Sequence, residues 1–213
     1  MSSLNLIEIG AIVFDLDGTL YVSDEFAASI KYDAAVYMAD LLAVSIDEAR
    51  LLINETHIQL AEQSSTIPTL SSVCCSLGGN VPALHAHFEK NLQPESYLLR
   101  DNRVTELLKC LQKHYALFIY TNNNRILTTR ILDYLGLDGL FRQIFTIEDT
   151  WKPKPDEERL KQIISFSGLQ PSRVLFVGDR YDVDLRLPEQ LGCPVFLSQN
   201  NEQLLRLSQL VPC

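Results

Sequence analysis

Four short stretches of this sequence carry residue types that could do chemistry, and each follows a run of apolar residues. In Val13-Phe14-Asp15-Leu16-Asp17-Gly18-Thr19-Leu20, two aspartates stand two residues apart. While the chain is extended they share one face. Two carboxylates ending an apolar segment are costly unless something positive compensates them. A divalent cation with oxygen ligands is a natural partner, and Gly18 lets the chain turn sharply away. A pair of solvated turn aspartates would leave the same pattern. The second stretch, Phe118-Ile119-Tyr120-Thr121-Asn122, ends in a hydroxyl and backbone amides that could hold a phosphate oxygen at a helix start. Asn122–Asn124 could equally cap that helix.

The third stretch is Trp151-Lys152-Pro153-Lys154-Pro155. Prolines on both sides of Lys154 restrict the backbone, so a lysine here is held in place. Facing the paired carboxylates, it would offset their charge and steady a phosphoryl group; otherwise the segment is a stiff polar loop. The fourth, Gly178-Asp179-Arg180-Tyr181-Asp182-Val183-Asp184, follows Leu175-Phe176-Val177. A third carboxylate at a neighbouring strand end would complete an oxygen-rich divalent site. Alone, it could complement a helix dipole.

These residues need a scaffold that gathers strand ends. Ile9–Leu16, Ala116–Thr121, Gln143–Ile147, Arg173–Gly178 and Pro194–Leu197 read as strands. They are continuously apolar, as in strands buried on both faces of a parallel sheet. Val104, Leu107, Leu108 and Leu111, like Leu127, Ile131, Tyr134 and Leu135, recur at helical spacing. The alternation over Arg103–Leu197 implies a doubly wound α/β core. Between the first two strands, helices are expected over Asp24–Ala43, Ile46–Gln63 (with a Ser45/Glu48 capping box), Ser71–Leu77 and Val81–Asn91. Such an insertion would sit above the carboxyl ends of the strands, where ligands bind in open α/β sheets. Asn201–Leu210 reads as a closing helix.

The 213 residues suit one core domain with a smaller insert. A formal net charge of −9 argues against nucleic acid as a partner. It would also repel a phosphorylated substrate unless a cation is recruited locally. Five cysteines, two of them adjacent at Cys74–Cys75, fit reduced thiols in a cytoplasmic protein. No secretory leader is recognisable, and no apolar run approaches the ~20 residues of a membrane span. A monomer or weak homodimer is expected.

Taken together, the four stretches resemble the motifs of the haloacid dehalogenase superfamily, over roughly residues 8–20 and 103–200. The insertion resembles that superfamily's helical cap. The resemblance implies a Rossmann-like parallel-sheet core over residues 1–20 and 96–213 with an inserted all-helical cap domain over 21–95. It implies Asp15 as a nucleophile forming an aspartyl-phosphate and Asp17 as acid and base. Mg²⁺ would be held by Asp15, the Asp17 carbonyl and Asp179. Asp184, with Asp182 as second choice, would be the further acid. Thr121, Asn122 and Lys152 would bind the phosphoryl group, with Lys152 also positioning Asp15. Tyr21, His57 and Arg125 are candidate leaving-group contacts, and Trp151 is expected to pack beside Lys152. Asp17 disfavours carbon–halogen hydrolysis, because dehalogenases of the superfamily lack it. The expected activity is Mg²⁺-dependent hydrolysis of a small phosphorylated metabolite, with pyrimidine 5′-nucleotidase-like or phosphoglycolate phosphatase-like relatives the nearest branches. Its substrate would be a nucleoside monophosphate or phosphoglycolate. A phosphosugar mutase or phosphotransferase, or a catalytically idle phospholigand-binding module, are the alternatives.

Overall fold

The computed structural model describes residues 9–63 and 67–211. Five strands, β1 (Ala11–Phe14), β2 (Ala116–Tyr120), β3 (Gln143–Phe145), β4 (Val174–Gly178) and β5 (Val195–Leu197), form one sheet in the order β3-β2-β1-β4-β5. Every pairing is parallel. The order reverses at β1, which lies between β2 and β4 with Phe14 in register with both Ile119 and Val177. The carboxyl ends of β1, β2 and β4 therefore lie side by side, which is where a doubly wound sheet opens a crevice.

The strands are apolar throughout because both faces are covered. Ile12, Phe14, Leu117, Ile119, Leu175 and Val177 pack on one face, joined by Val104, Leu107, Leu108 and Leu111 of α5 (Asn102–Gln112) and by Leu127, Ile131 and Leu135 of α6 (Arg125–Leu135). Ala11, Val13, Phe118, Tyr120 and Phe176 pack on the other, with Leu160, Ile163 and Ile164 of α7 (Glu157–Ser167). A helix α8 (Arg186–Gln190) precedes β5. The expected closing helix is instead two short pieces, α9 (Asn201–Leu205) and α10 (Leu207–Leu210), joined at Arg206.

Between β1 and α5 the described chain contains four α-helices and no strand. These are α1 (Asp24–Leu42), α2 (Ile46–Gln63), α3 (Leu70–Ser76) and α4 (Val81–Asn91). Their ends follow from local polar groups. Ser23 accepts from Phe26 N, Ser45 from Glu48 N, and Asn80 from Ala83 N, each closing an otherwise unsatisfied first turn. Phe26, Met38, Leu84 and Phe88 from this insertion join the same apolar cluster as the core. A second tie is polar: Asn124 Nδ2 donates to the His85 carbonyl across 2.9 Å. No disulfide links the four described cysteines, and Cys213 lies outside the described residues.

The strands are shorter than the apolar runs suggest. β1 ends at Phe14 rather than Leu16, because the chain bends out of the sheet after Asp15, whose N–H still donates to the Val177 carbonyl at 2.8 Å. β3 ends at Phe145, since Thr146 and Asp149 form a reciprocal cap for a short 3₁₀ turn. Truncating Leu108, which is completely buried in α5, is expected to destabilise the protein by about 2–5 kcal/mol. Urea unfolding of Leu108→Ala measures this; a loss below about 1 kcal/mol would contradict its place in the core.

Candidate active site

Two strand ends deliver carboxylates to one point. Asp15 follows β1 directly and is buried. Asp179 follows β4, and Asp184 comes five positions later in a π-helical turn, Tyr181–Leu185, that runs into α8. The extra residue that a π turn absorbs brings Asp184 back over the strand end. Asp15, Asp179 and Asp184 each offer an oxygen, all within 4.8 Å of one another. Two glycines make this crowding possible. A Cβ on Gly178 would lie 2.5 Å from the Asp184 Cβ. Gly18 has φ +83°, and a Cβ there would meet an Asp179 oxygen at 2.5 Å.

The cation among these acids is Lys154. Its Nζ donates to Asp15 Oδ1 at 2.5 Å, Asp184 Oδ1 at 2.6 Å and the Tyr120 carbonyl at 3.0 Å. All three ammonium protons are thereby used. The Lys154 N–H also donates to Asn122 Oδ1 at 2.7 Å, anchoring its loop to the end of β2. Arg180 lies at the margin, 3.7 Å from Asp179 and 3.9 Å from Asp184.

Negative charge remains in excess. Among the described residues, the cations that form ion pairs within the group of four acids Asp15, Asp17, Asp179 and Asp184 are Lys154 and Arg180, two cations for four carboxylates. Burial, reinforced by the neighbouring carboxylates, raises the proton affinity of Asp15 although Lys154 opposes the shift. Burial, with Asp184, likewise pushes Asp179 up to about 6. Burial alone would lower Lys154, but Asp15 and Asp184 more than reverse it and keep the ammonium charged. Asp179 Oδ1 is buried without a hydrogen-bond partner. An all-oxygen donor set with a spare buried oxygen and two surplus charges fits a hard divalent cation.

Asp17 is held separately. Asn123 Nδ2 donates to Oδ2 at 2.7 Å, and the Tyr21 hydroxyl donates to Oδ1. Burial and the Asp17 charge hold the Tyr21 phenol well above its ordinary range, so it remains a donor. Thr19 Oγ1 donates to Asp15 Oδ2 at 3.3 Å. Thr121 is fully buried, and its hydroxyl accepts from Asn123 N at 3.1 Å. Beside Asp17 and Asp179 a cavity of about 420 Å³ opens, lined among others by Tyr21, Phe26, Ile30, Lys31 and Arg180.

A family model described as haloacid dehalogenase-like hydrolase matches residues 12–197. The chain belongs to the haloacid dehalogenase-like hydrolases. Among curated relatives, it is 24% identical over 190 residues to a glyceraldehyde 3-phosphate phosphatase of Methanocaldococcus jannaschii, covering 86% of this chain and 82% of that one. It is 27% identical over 180 residues to the pyrophosphatase PpaX of Bacillus pumilus, covering 84% and 78%. Among solved structures, a haloacid dehalogenase-type phosphatase from Thermococcus onnurineus matches with a TM-score of 0.64 at 19% identity, covering 95% and 97%. A 2-haloacid dehalogenase from Pseudomonas syringae matches with 0.59 at 17%, also covering 95% and 97%. The fold is thus shared by enzymes of different chemistry, and only the site can distinguish among them.

Within this hydrolase, the structure brings together Asp15, Asp17, Thr121, Asn122, Asp179 and Asp184 as the sequence suggests, but not Lys152. The Lys152 side chain is 65% exposed and reaches Glu158 at 3.5 Å, because Pro153 directs the chain so that only Lys154 turns inward. The proline pair around Lys154 was the signal for the right residue; the resemblance alone selects the wrong one. Asp182 is also outside the cluster, with Oδ1 3.8 Å from Arg186 Nε. Arg125 is committed elsewhere: its N–H donates to Glu148, and its guanidinium to the Ile144 carbonyl, Thr146 and Asp149. His57 lies on α2, which contributes nothing to the cavity. Trp151 faces His85 of α4, with ring centroids 6.4 Å apart, rather than packing beside Lys152. Asn123 is absent from the sequence expectations, although its position two residues beyond Thr121 returns it to the same side of an extended segment.

Removing Lys154 strands two buried carboxylates, so Lys154→Ala is expected to lose about 3–5 kcal/mol of stability. Lys152→Ala should leave the melting temperature unchanged. Thermal and urea unfolding of the pair decide between them; equal effects would contradict the assignment of Lys154 as the buried cation.

Proposed function

We propose that the protein is a Mg²⁺-dependent phosphoric monoester hydrolase acting on a small phosphorylated metabolite through an aspartyl-phosphate on Asp15. The observation that carries this reading is the second aspartate. Asp17 lies at the cavity, separate from the Lys154 cluster, where it can serve a leaving oxygen. A carbon–halogen bond needs no protonated leaving group, whereas a phosphate ester does. The phosphatase names of the curated relatives support the same reading.

In this mechanism Asp15 attacks phosphorus and the ester oxygen leaves with the proton of Asp17, giving the aspartyl-phosphate and a free alcohol. Asp17 then takes a proton from water as it attacks the acyl phosphate, which releases inorganic phosphate and restores Asp15. Lys154, rather than Lys152, favours the ionised form of Asp15 and aims it, and offsets charge on the transferring group. Thr121 and the backbone amides that follow it bind phosphoryl oxygens, while Asn122 fixes the Lys154 loop. Asp15, the Asp17 carbonyl and Asp179 would hold Mg²⁺, with Asp184 supporting them. When bound, the ion supplies charge neutralisation to the phosphoryl oxygens.

The helical insertion over 21–95 serves as the cap, and residues 1–20 and 96–213 as the core; 1–8, 64–66 and 212–213 of these lie outside the described residues. The cavity volume suits a small metabolite, with nucleoside monophosphates, phosphoglycolate and glyceraldehyde 3-phosphate the first compounds to try. Among the described residues no helix is long and apolar enough to cross a membrane, and we place the activity in the cytoplasm.

Turnover of p-nitrophenyl phosphate should vanish with EDTA and return with Mg²⁺. Asp15→Asn should lower kcat by at least about a thousandfold. Activity that survives EDTA would overturn the metal dependence, and activity that survives Asp15→Asn would overturn the proposed nucleophile.

A further inference from the structure

Both oxygens of the Asp17 carboxylate are taken by side chains. Oδ2 accepts from the Asn123 amide at 2.7 Å, and Oδ1 accepts from the Tyr21 hydroxyl. These donors come from different parts of the chain. Tyr21 follows the turn after β1, where Gly18 N donates to the Tyr21 carbonyl at 3.0 Å. Asn123 follows β2, where its own N–H is fixed to Thr121 Oγ1 at 3.1 Å. Tyr21 and Asn123 are both buried, and the Tyr21 ring packs against Phe26 with centroids 6.2 Å apart. Neither side chain is therefore free to drift from the carboxylate. Tyr21 and Asp17 also line the same cavity.

The two partners are not equivalent. The Asn123 amide, as oriented, can only donate, so Oδ2 is kept as an acceptor. A tyrosine hydroxyl donates or accepts, and here it donates to Oδ1. We propose that Tyr21 and Asn123 are positioning residues that act through Asp17, fixing its two carboxylate oxygens from opposite sides so that the group is held at the cavity it lines with Tyr21. Tyr21 is then neither cap filler nor a leaving-group contact. This inference rests on the acid–base role proposed for Asp17.

Leaving-group dependence tests it. A poor leaving group such as an alkoxide needs the proton; p-nitrophenolate needs it far less. Each variant is compared on a simple alkyl phosphate and on p-nitrophenyl phosphate, as a ratio of kcat/KM values, which report the steps up to departure of the leaving group and not the later hydrolysis that both substrates share, with melting temperatures alongside. Tyr21→Phe removes one hydroxyl and keeps the ring. It should lower kcat/KM on the alkyl phosphate at least about tenfold more than on p-nitrophenyl phosphate. Asn123→Ala, disturbing the same carboxylate from the other side, should show the same selective loss and be less than additive with Tyr21→Phe. Asp17→Asn supplies the reference pattern. If Asp17→Asn is selective but both other variants lose the two activities in equal proportion, the positioning inference fails while the role of Asp17 stands. If Asp17→Asn is itself unselective, the acid–base reading fails and takes this inference with it.

Discussion

The structure depends on one buried ammonium. Lys154 is 2% exposed and spends its three protons on Asp15, Asp184 and the Tyr120 carbonyl, which belong to or follow three adjacent strands. Desolvating that charge is unfavourable, and so is desolvating either aspartate. Each is tolerable only because the others are present. The contact ties the ends of β1, β2 and β4 into one unit and fixes Asp15, whose other oxygen accepts from Thr19.

A single lysine does not balance the acids gathered there. Asp179, with an unpartnered buried oxygen, and Asp17, held by Asn123 and Tyr21, leave the cluster negative even with Arg180 beside it. The protein as a whole carries −9, and that charge would repel an anionic substrate. Under the proposed function, the same charge concentrated at one point has the opposite effect, because it would recruit a divalent cation to which phosphate can bind. The fold accommodates the crowding through Gly18 and Gly178, where a Cβ would collide with Asp179 or Asp184, and through the π turn that absorbs the longer spacing before Asp184.

Much of this was legible in the sequence because it is local. Apolar runs marked the buried strands, and the Ser45/Glu48 capping box marked where α2 begins. Asp15, Asp17, Asp179 and Asp184 stood out because carboxylates terminating apolar strands need a reason. What could not be read is set by tertiary geometry. The choice between Lys152 and Lys154 turns on which way the chain emerges from Pro153. Arg125 looked available until Glu148 and Asp149 claimed it, and Tyr21 showed no sign of bonding Asp17. Composition and spacing contain none of those directions.

The central claim is that Asp15, held by Lys154, is the atom donor to phosphorus. Its most direct test is to quench steady-state turnover of an aryl phosphate in acid, digest the protein and search its peptides by mass spectrometry for a trapped phosphoryl group. The account requires that group on the peptide bearing Asp15, and on Asp15 within it. A phosphoryl group on another residue, or none under conditions where turnover is limited by hydrolysis of the intermediate, would contradict it.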